Sequence, residues 1–270
     1  MDISGNYDGT KRYIQARWPL YLIGYGGGIL LGNIAILAGL LQRLPAPVLL
    51  GLALILMVDL LAGSSLWAVH RLYDNNKIRD TLFDLGHFNP DDALVYLDTG
   101  VRWLPAAMSR RLTTGHIIVI DIYNPHLTPA GDLARARRQA FHPPPDPRLS
   151  WRDGDISLLP LPDGSVPAVI LAEVASEFWE EGDRKRLISE IYRILSPGGR
   201  LILAERVRTT PNLLTMGFDG PGLETAGYWR DLLTQTGFRI KREESLEELI
   251  HFIRADKPLP YEGKQLLFDF

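Results

Sequence analysis

Hydrophobic positions are crowded into the first quarter of the chain. Residues 19–41 and 47–69 are two long apolar stretches, and between positions 18 and 69 the only formal charges are Arg43 and Asp59. At about 1.5 Å per helical residue each stretch reaches roughly 35 Å, enough for a hydrocarbon core of about 30 Å. The linker, residues 42–46, is short, so the pattern predicts an antiparallel hairpin of two transmembrane helices within residues 18–70. A cleaved signal peptide fits less well, because the first run is too long and a second follows at once. Lys11, Arg12 and Arg17 precede the hairpin and Arg71, Lys77 and Arg79 follow it, against Arg43 alone in the linker. That bias predicts an integral membrane protein with residues 1–17, the C-terminal domain and both termini in the cytoplasm. Gly24, Gly28 and Gly32 recur along one face of the first helix. The favoured reading is close packing on the second helix; the other is a partner membrane protein. Asp59 lies mid-span, at roughly 2.5–3.5 kcal/mol on insertion scales, and is expected to face protein or water. A partner subunit, Ser64, Ser65 or backbone would then bond it.

Beyond a charged connector, residues 71–91, the pattern changes. Strand-like runs at residues 93–97 (ending in Asp98), 116–120 (ending in Asp121), 168–172 and 200–204 alternate with helix-like stretches at 105–112, 129–140 and 183–195. Such alternation predicts right-handed βαβ units and a parallel sheet. Runs 238–243 and 249–254 have a link too short for a crossover helix, so they should pair antiparallel at the sheet edge. The expected fold class is α/β, a Rossmann-like doubly wound sheet with an antiparallel terminal strand pair over residues 92–270, preceded by a transmembrane helical hairpin.

Composition narrows the chemistry. The absence of cysteine excludes disulfides and thiolate chemistry. A net charge of −3 argues against nucleic acid as a partner. His116, His126 and His142 are scattered without metal-ligand spacing, so no metal is expected. In open α/β sheets ligands sit beyond the carboxyl ends of the strands. Asp98 and Asp121 stand at two such ends, and an acid after the second strand suits a ribose. Each also reads as a helix N-cap or turn acid.

Taken together, residues 92–257 resemble the class I S-adenosylmethionine-dependent methyltransferases, particularly the group that includes the ubiquinone/menaquinone-biosynthesis enzymes. The run from Asp183 to Glu205 carries most of the resemblance, with its stripe of Leu187, Ile191 and Ile194 and its Pro197-Gly198-Gly199 turn. Gly154-Asp155-Ile156, the segment 159–165, Tyr228-Trp229 and Thr236-Gly237-Phe238 agree in order and spacing. The resemblance implies S-adenosylmethionine as cofactor. It places Asp98, Gly100 and Arg102 in the cofactor loop, Asp121 (with Ile122) at the ribose, and Asp155 and Ile156 at adenine, where a turn acid is the alternative for Asp155. Glu173 joins the cofactor set; with Glu177 it is also a candidate for substrate contact or general base, although helix-surface charge is the favoured reading of both.

The chain departs from the family at the first motif, an acid followed by three glycines at alternate positions. Only Gly100 survives in Asp98-Thr99-Gly100-Val101-Arg102-Trp103-Leu104, with Arg102 and Leu104 in place of the others. Arg102 would bind the methionine carboxylate or fill an empty site. Val166-Pro167 replaces Phe-Asp. Methyl transfer depends mostly on placement, so no catalyst is singled out. The first functional reading is a membrane-anchored methyltransferase whose partners are the bilayer and a lipid-like or quinone-like substrate. The second is a catalytically inactive scaffold of the same fold in a membrane complex. A dinucleotide oxidoreductase fits worst, lacking the pyrophosphate glycines.

Overall fold

The computed structural model describes residues 9–73, 76–140, 142–216 and 222–260. Residues 1–8 of the expected N-terminal segment and 74–75 of the expected connector lie outside these. The chain divides into two compact units, residues 1–75 with 210–222, and residues 76–209 with 223–270.

In the first unit, α1 (Gly9–Tyr21), a π-helical turn (Leu22–Gly26) and α2 (Gly27–Gln42) run on from one another, and α3 (Pro45–Tyr73) follows. The helical runs Thr10–Gln42 and Pro45–Tyr73 are long and apolar enough to cross a membrane, with mean hydropathies of 1.7 and 2.3. The link is tighter than expected. Arg43 takes a left-handed conformation, the Leu44 N–H closes α2 on the Gly39 carbonyl, and Pro45 opens α3, where its missing N–H costs nothing.

α2 and α3 pack antiparallel through glycine. A Cβ on Gly28 would lie 2.6 Å from Val58, one on Gly32 2.9 Å from the Gly51 carbonyl, and one on Gly39 2.7 Å from Val48. The glycine face is thus filled at Gly28 and Gly32 by the same chain. Asp59 lies exposed on α3 with no hydrogen-bond partner among the described residues; Ser64 bonds the Leu61 carbonyl and Ser65 the Tyr21 hydroxyl, so neither serine holds it.

The second unit begins with α4 (Lys77–Gly86), inside the expected connector. Its Ile78, Leu82, Phe83 and Leu85 are buried, so this is an amphipathic core helix rather than a spacer. Then come β1 (Ala93–Asp98), α5 (Trp103–Ser109), β2 (His116–Asp121), α6 (Gly131–Arg138), β3 (Leu149–Asp153) and β4 (Val166–Ala172). A 3-10 turn (Ala175–Glu177), α7 (Glu181–Ile194) and β5 (Leu195–Arg206) follow; α8 (Thr210–Met216) belongs to the first unit, and α9 (Ala226–Thr236), β6 (Arg239–Leu246) and β7 (Ile250–Asp256) complete the second.

The sheet order is β3-β2-β1-β4-β5-β7-β6. β1 to β5 are parallel, while β7 is inserted between β5 and β6 and runs antiparallel to both. The predicted terminal pair and the four predicted parallel strands are all present. β3 was not predicted: it is a half-exposed edge strand, Leu149–Asp153, without an apolar run. On one face of the sheet Leu187, Ile188 and Ile191 of α7 and Trp229, Leu232 and Leu233 of α9 join Val95, Leu97, Ile120, Val169 and Leu203 in one core. Asp183 and Glu181 lie in the first turn of α7, where the helix dipole favours them. That helix ends at Ile194, before Pro197. The expected Pro-Gly-Gly turn is a bulge at the start of β5: Val166 pairs with Leu195 but Ala168 with Arg200. Pro167, lacking a ladder N–H, sits opposite that bulge, and Gly198 supplies φ +77°.

Candidate functional site

β1 and β2 end side by side, with Asp98 and Asp121 direct partners in the parallel register. The strand order reverses at this point, with β4 on the other flank of β1. Asp98 is only 5% exposed, and its Oδ2 accepts the N–H groups of Gly100 and Arg102, both at 3.0 Å. These bonds fold the chain back over the strand end through two left-handed residues, Gly100 (φ +83°) and Arg102 (φ +68°). For arginine that conformation is costly, and the carboxylate helps to hold it. Burial, reinforced by the charge of Asp121, lifts the Asp98 carboxyl to about 6 in spite of the backbone N–H groups that favour its ionised form. The Ile122 N–H bonds the Asp98 carbonyl at 2.8 Å, and the Gly154 N–H bonds that of Asp121 at 2.9 Å, so the three loops after β1, β2 and β3 are stitched together.

Asp121 is partly exposed and already engaged. Its Oδ1 accepts the Tyr123 N–H at 3.1 Å and the Arg137 Nη1–H at 2.8 Å, and the same Nη1 lies 2.6 Å from Oδ2 in the ion pair. The same nitrogen donates to the Thr99 carbonyl at 3.0 Å, and the guanidinium lies 4.5 Å from the centre of the Tyr123 ring. Ile122 is buried. Arg102, the substitute for a family glycine, turns its guanidinium toward the exposed Trp151 ring of β3, 5.6 Å from its centre. Leu104 is buried and begins the inner side of α5.

Asp155 and Ile156 follow β3. Ile156 is buried in the core, while Asp155 is exposed and its Oδ1 accepts the Ser157 N–H at 2.7 Å and Oγ at 2.6 Å. These bonds hold its carboxyl below the ordinary range. It is a turn acid whose Oδ2 carries no partner among the described residues. Glu173, directly after β4, takes φ +53° and forms an ion pair with the nearly buried Arg206 at 3.0 Å. Glu177 lies on the 3-10 turn. His251 bonds Glu243 at 2.8 Å across the terminal hairpin, a structural pairing.

Sequence reasoning missed Arg137 and Glu205. Glu205 stands at the end of β5, 1% exposed, where it accepts the Val174 and Ala175 N–H groups and the Ser176 hydroxyl. Burial lifts it to about 8. The cue that found Asp98 and Asp121, an acid closing an apolar run, also marks Glu205 after residues 200–204. The charges of Asp98, Glu173 and Glu205 all act on the fully buried Tyr96 phenol, which burial, chiefly, pushes upward. The ends of β1, β4 and β5 therefore bring their acids together. Arg137 carried no signal, being one of three arginines in the last turn of α6.

These residues match an adenosyl ligand in kind: an acid closes each of two adjacent strands, and the first strand end carries a glycine whose open side the Arg137 guanidinium occupies. Comparison with known proteins agrees. Residues 99–203 match the family described as Methyltransferase domain. A probable S-adenosylmethionine-dependent methyltransferase of Mycolicibacterium smegmatis is 32% identical over 106 residues, which is 35% of this chain and 37% of that one. A demethylmenaquinone methyltransferase of Thermus thermophilus is 30% identical over 40% of this chain and 44% of its own. The chain thus spans less than half the length of these relatives. Human N-acetylserotonin methyltransferase, solved in complex with SAM, superposes with a TM-score of 0.52 at 22% identity, covering 72% of this chain and 56% of its own. The second unit is therefore similar in fold, and over residues 99–203 in sequence, to class I methyltransferases, and these relatives support S-adenosylmethionine as the cofactor.

Proposed function

We propose that the chain is an S-adenosylmethionine-dependent methyltransferase, held on a membrane by α1 to α3, that acts on a lipid-like or quinone-like acceptor. The observation that carries it is the pairing of Asp98 with Asp121 where the strand order reverses. Bound there, S-adenosylmethionine supplies an activated methyl group. The protein's task is then placement, the main source of rate in such a transfer. Asp98 holds the loop through the Gly100 and Arg102 N–H groups, and Arg102 is a candidate for the methionine carboxylate. Asp121 offers acceptors to a ribose with buried Ile122 beside it, the Oδ2 of the exposed Asp155 is the candidate acceptor for adenine with Ile156 packed in the core next to it, and Glu173 closes the set beyond β4.

The anchor draws support from two helical runs of membrane-spanning length and from Leu30, Leu41, Leu49 and Leu50, all more than 60% exposed. The basic residues flanking the hairpin support a cytoplasmic location for both termini and the C-terminal domain. A quinone-like acceptor draws support from a relative named demethylmenaquinone methyltransferase. Calorimetry of the detergent-purified full chain with S-adenosylhomocysteine tests the cofactor site, and transfer of a labelled methyl group to extracted membrane lipids tests the acceptor. Absence of cofactor binding by folded protein sinks the enzymatic reading. Arg102 in the glycine loop favours a second reading, an inactive scaffold within a membrane complex. It predicts a stoichiometric assembly from native membranes and no bound cofactor.

A further inference from the structure

The Arg137 side chain lies in the place that the cofactor reading reserves for a ligand. Its Nη1 contacts both oxygens of Asp121 and the carbonyl of Thr99, which together lie at the mouth of the loop. A Cβ built on Gly100 would overlap this guanidinium and come within 3.1 Å of Asp121 Oδ2. The space that glycine opens is therefore filled by arginine. Oδ1 of Asp121 already accepts two donors and the guanidinium stands 2.6 Å from Oδ2, so a ribose hydroxyl approaching this carboxylate from the Gly100 side meets the arginine first.

The side chain is poised to leave. It is 32% exposed and projects from the last turn of an eight-residue helix, so water can take over its donors once it swings outward. Asp121 would stay in place, because its Oδ1 keeps the Tyr123 N–H and its strand stays paired with β1 and β3. The Tyr123 ring gives the guanidinium a second surface against which to rest.

We propose that Arg137 is a specificity-determining gate of this site: it masks Asp121 in the free protein and must be displaced before an adenosyl group is held. This rests on the cofactor reading above. A ligand without a vicinal diol has nothing to offer Asp121 in exchange for the ion pair, so the gate rejects it; an adenosyl group replaces the lost bonds with two hydroxyl donors.

The test is calorimetry of S-adenosylhomocysteine binding to the full chain in detergent, comparing the native protein with Arg137→Ala, Arg137→Lys, Asp121→Asn and the Arg137→Ala/Asp121→Asn double variant. Circular dichroism and melting confirm that each is folded. Removing a charge-assisted ion pair that competes with the ligand should tighten binding by roughly tenfold or more in Arg137→Ala. Arg137→Lys, a point charge without the planar fork, should fall between. The gain should vanish in the Asp121→Asn background, because the mask then has nothing to hide. Binding by the native chain with unchanged or weaker affinity in Arg137→Ala overturns the gate and leaves the cofactor reading standing. Binding by none of the variants overturns both. Binding by Arg137→Ala alone supports a gate that is closed at rest.

Discussion

Replacing Asp98 by asparagine should make the sheet-containing second unit more stable at pH 8 and leave it unchanged at pH 4. The carboxyl is buried at the end of β1 and lifted from 3.8 to about 6. An acid raised in the fold contributes stability that is complete below its unfolded value, near pH 4, and is lost as the pH rises through 6. The upward shift of roughly two units corresponds to about 3 kcal/mol lost by pH 8. Asparagine stays neutral, and its one oxygen can still accept the Gly100 and Arg102 N–H groups that Oδ2 now accepts. Alanine separates the two roles of the residue. It leaves both N–H groups without an acceptor, at about 1–3 kcal/mol each, and releases Arg102 from its left-handed conformation. Asp98→Ala should therefore be destabilised by roughly 2–6 kcal/mol at pH 4 and by about 3 kcal/mol less at pH 8. Urea unfolding of the full chain in detergent, followed by tryptophan fluorescence at pH 4, 6 and 8, measures the differences. If native and Asp98→Asn stabilities run parallel across that range, burial does not raise this acid. If alanine equals asparagine at pH 4, the loop bonds contribute nothing.

Glu205 is lifted to about 8 by burial, so its contribution is complete below about pH 4.5 and is lost as the pH passes 8. Glu205→Gln keeps an acceptor for the Val174 and Ala175 N–H groups, and its melting temperature should exceed that of the native chain by a margin that widens from pH 6 to pH 9. Gly32→Leu would press on the Gly51 carbonyl and Ile55 and should cost about 1–3 kcal/mol, whereas Gly63→Leu, facing open space, should be nearly neutral; thermal unfolding in detergent compares them. Arg193 bonds the Leu159 and Leu161 carbonyls and ion-pairs with Glu190 and Asp163. Arg193→Ala should cost about 1–3 kcal/mol, and faster amide exchange at Leu158 to Ser165 than in the native chain is the expected sign, with unchanged exchange counting against it.

The acids at the strand ends were legible because a strand of period two, once its apolar run is recognised, states where it stops. Asp98 and Asp121 needed nothing more, and the same rule covers Glu205. The antiparallel terminal pair followed from a link too short to cross over, and the two long helices from uninterrupted apolar length. What escaped had no local period to read. β3 is an edge strand with one poorly covered face, so its residues obey no apolar alternation. α4 hid among the charges that resemble a connector, although Ile78, Leu82 and Leu85 are buried. Local sequence determines which residues close the strands, because that depends on neighbours in the chain. Only the tertiary structure decides that Arg137, 16 residues beyond Asp121, returns to cover it, because such a contact depends on where α6 is carried in space.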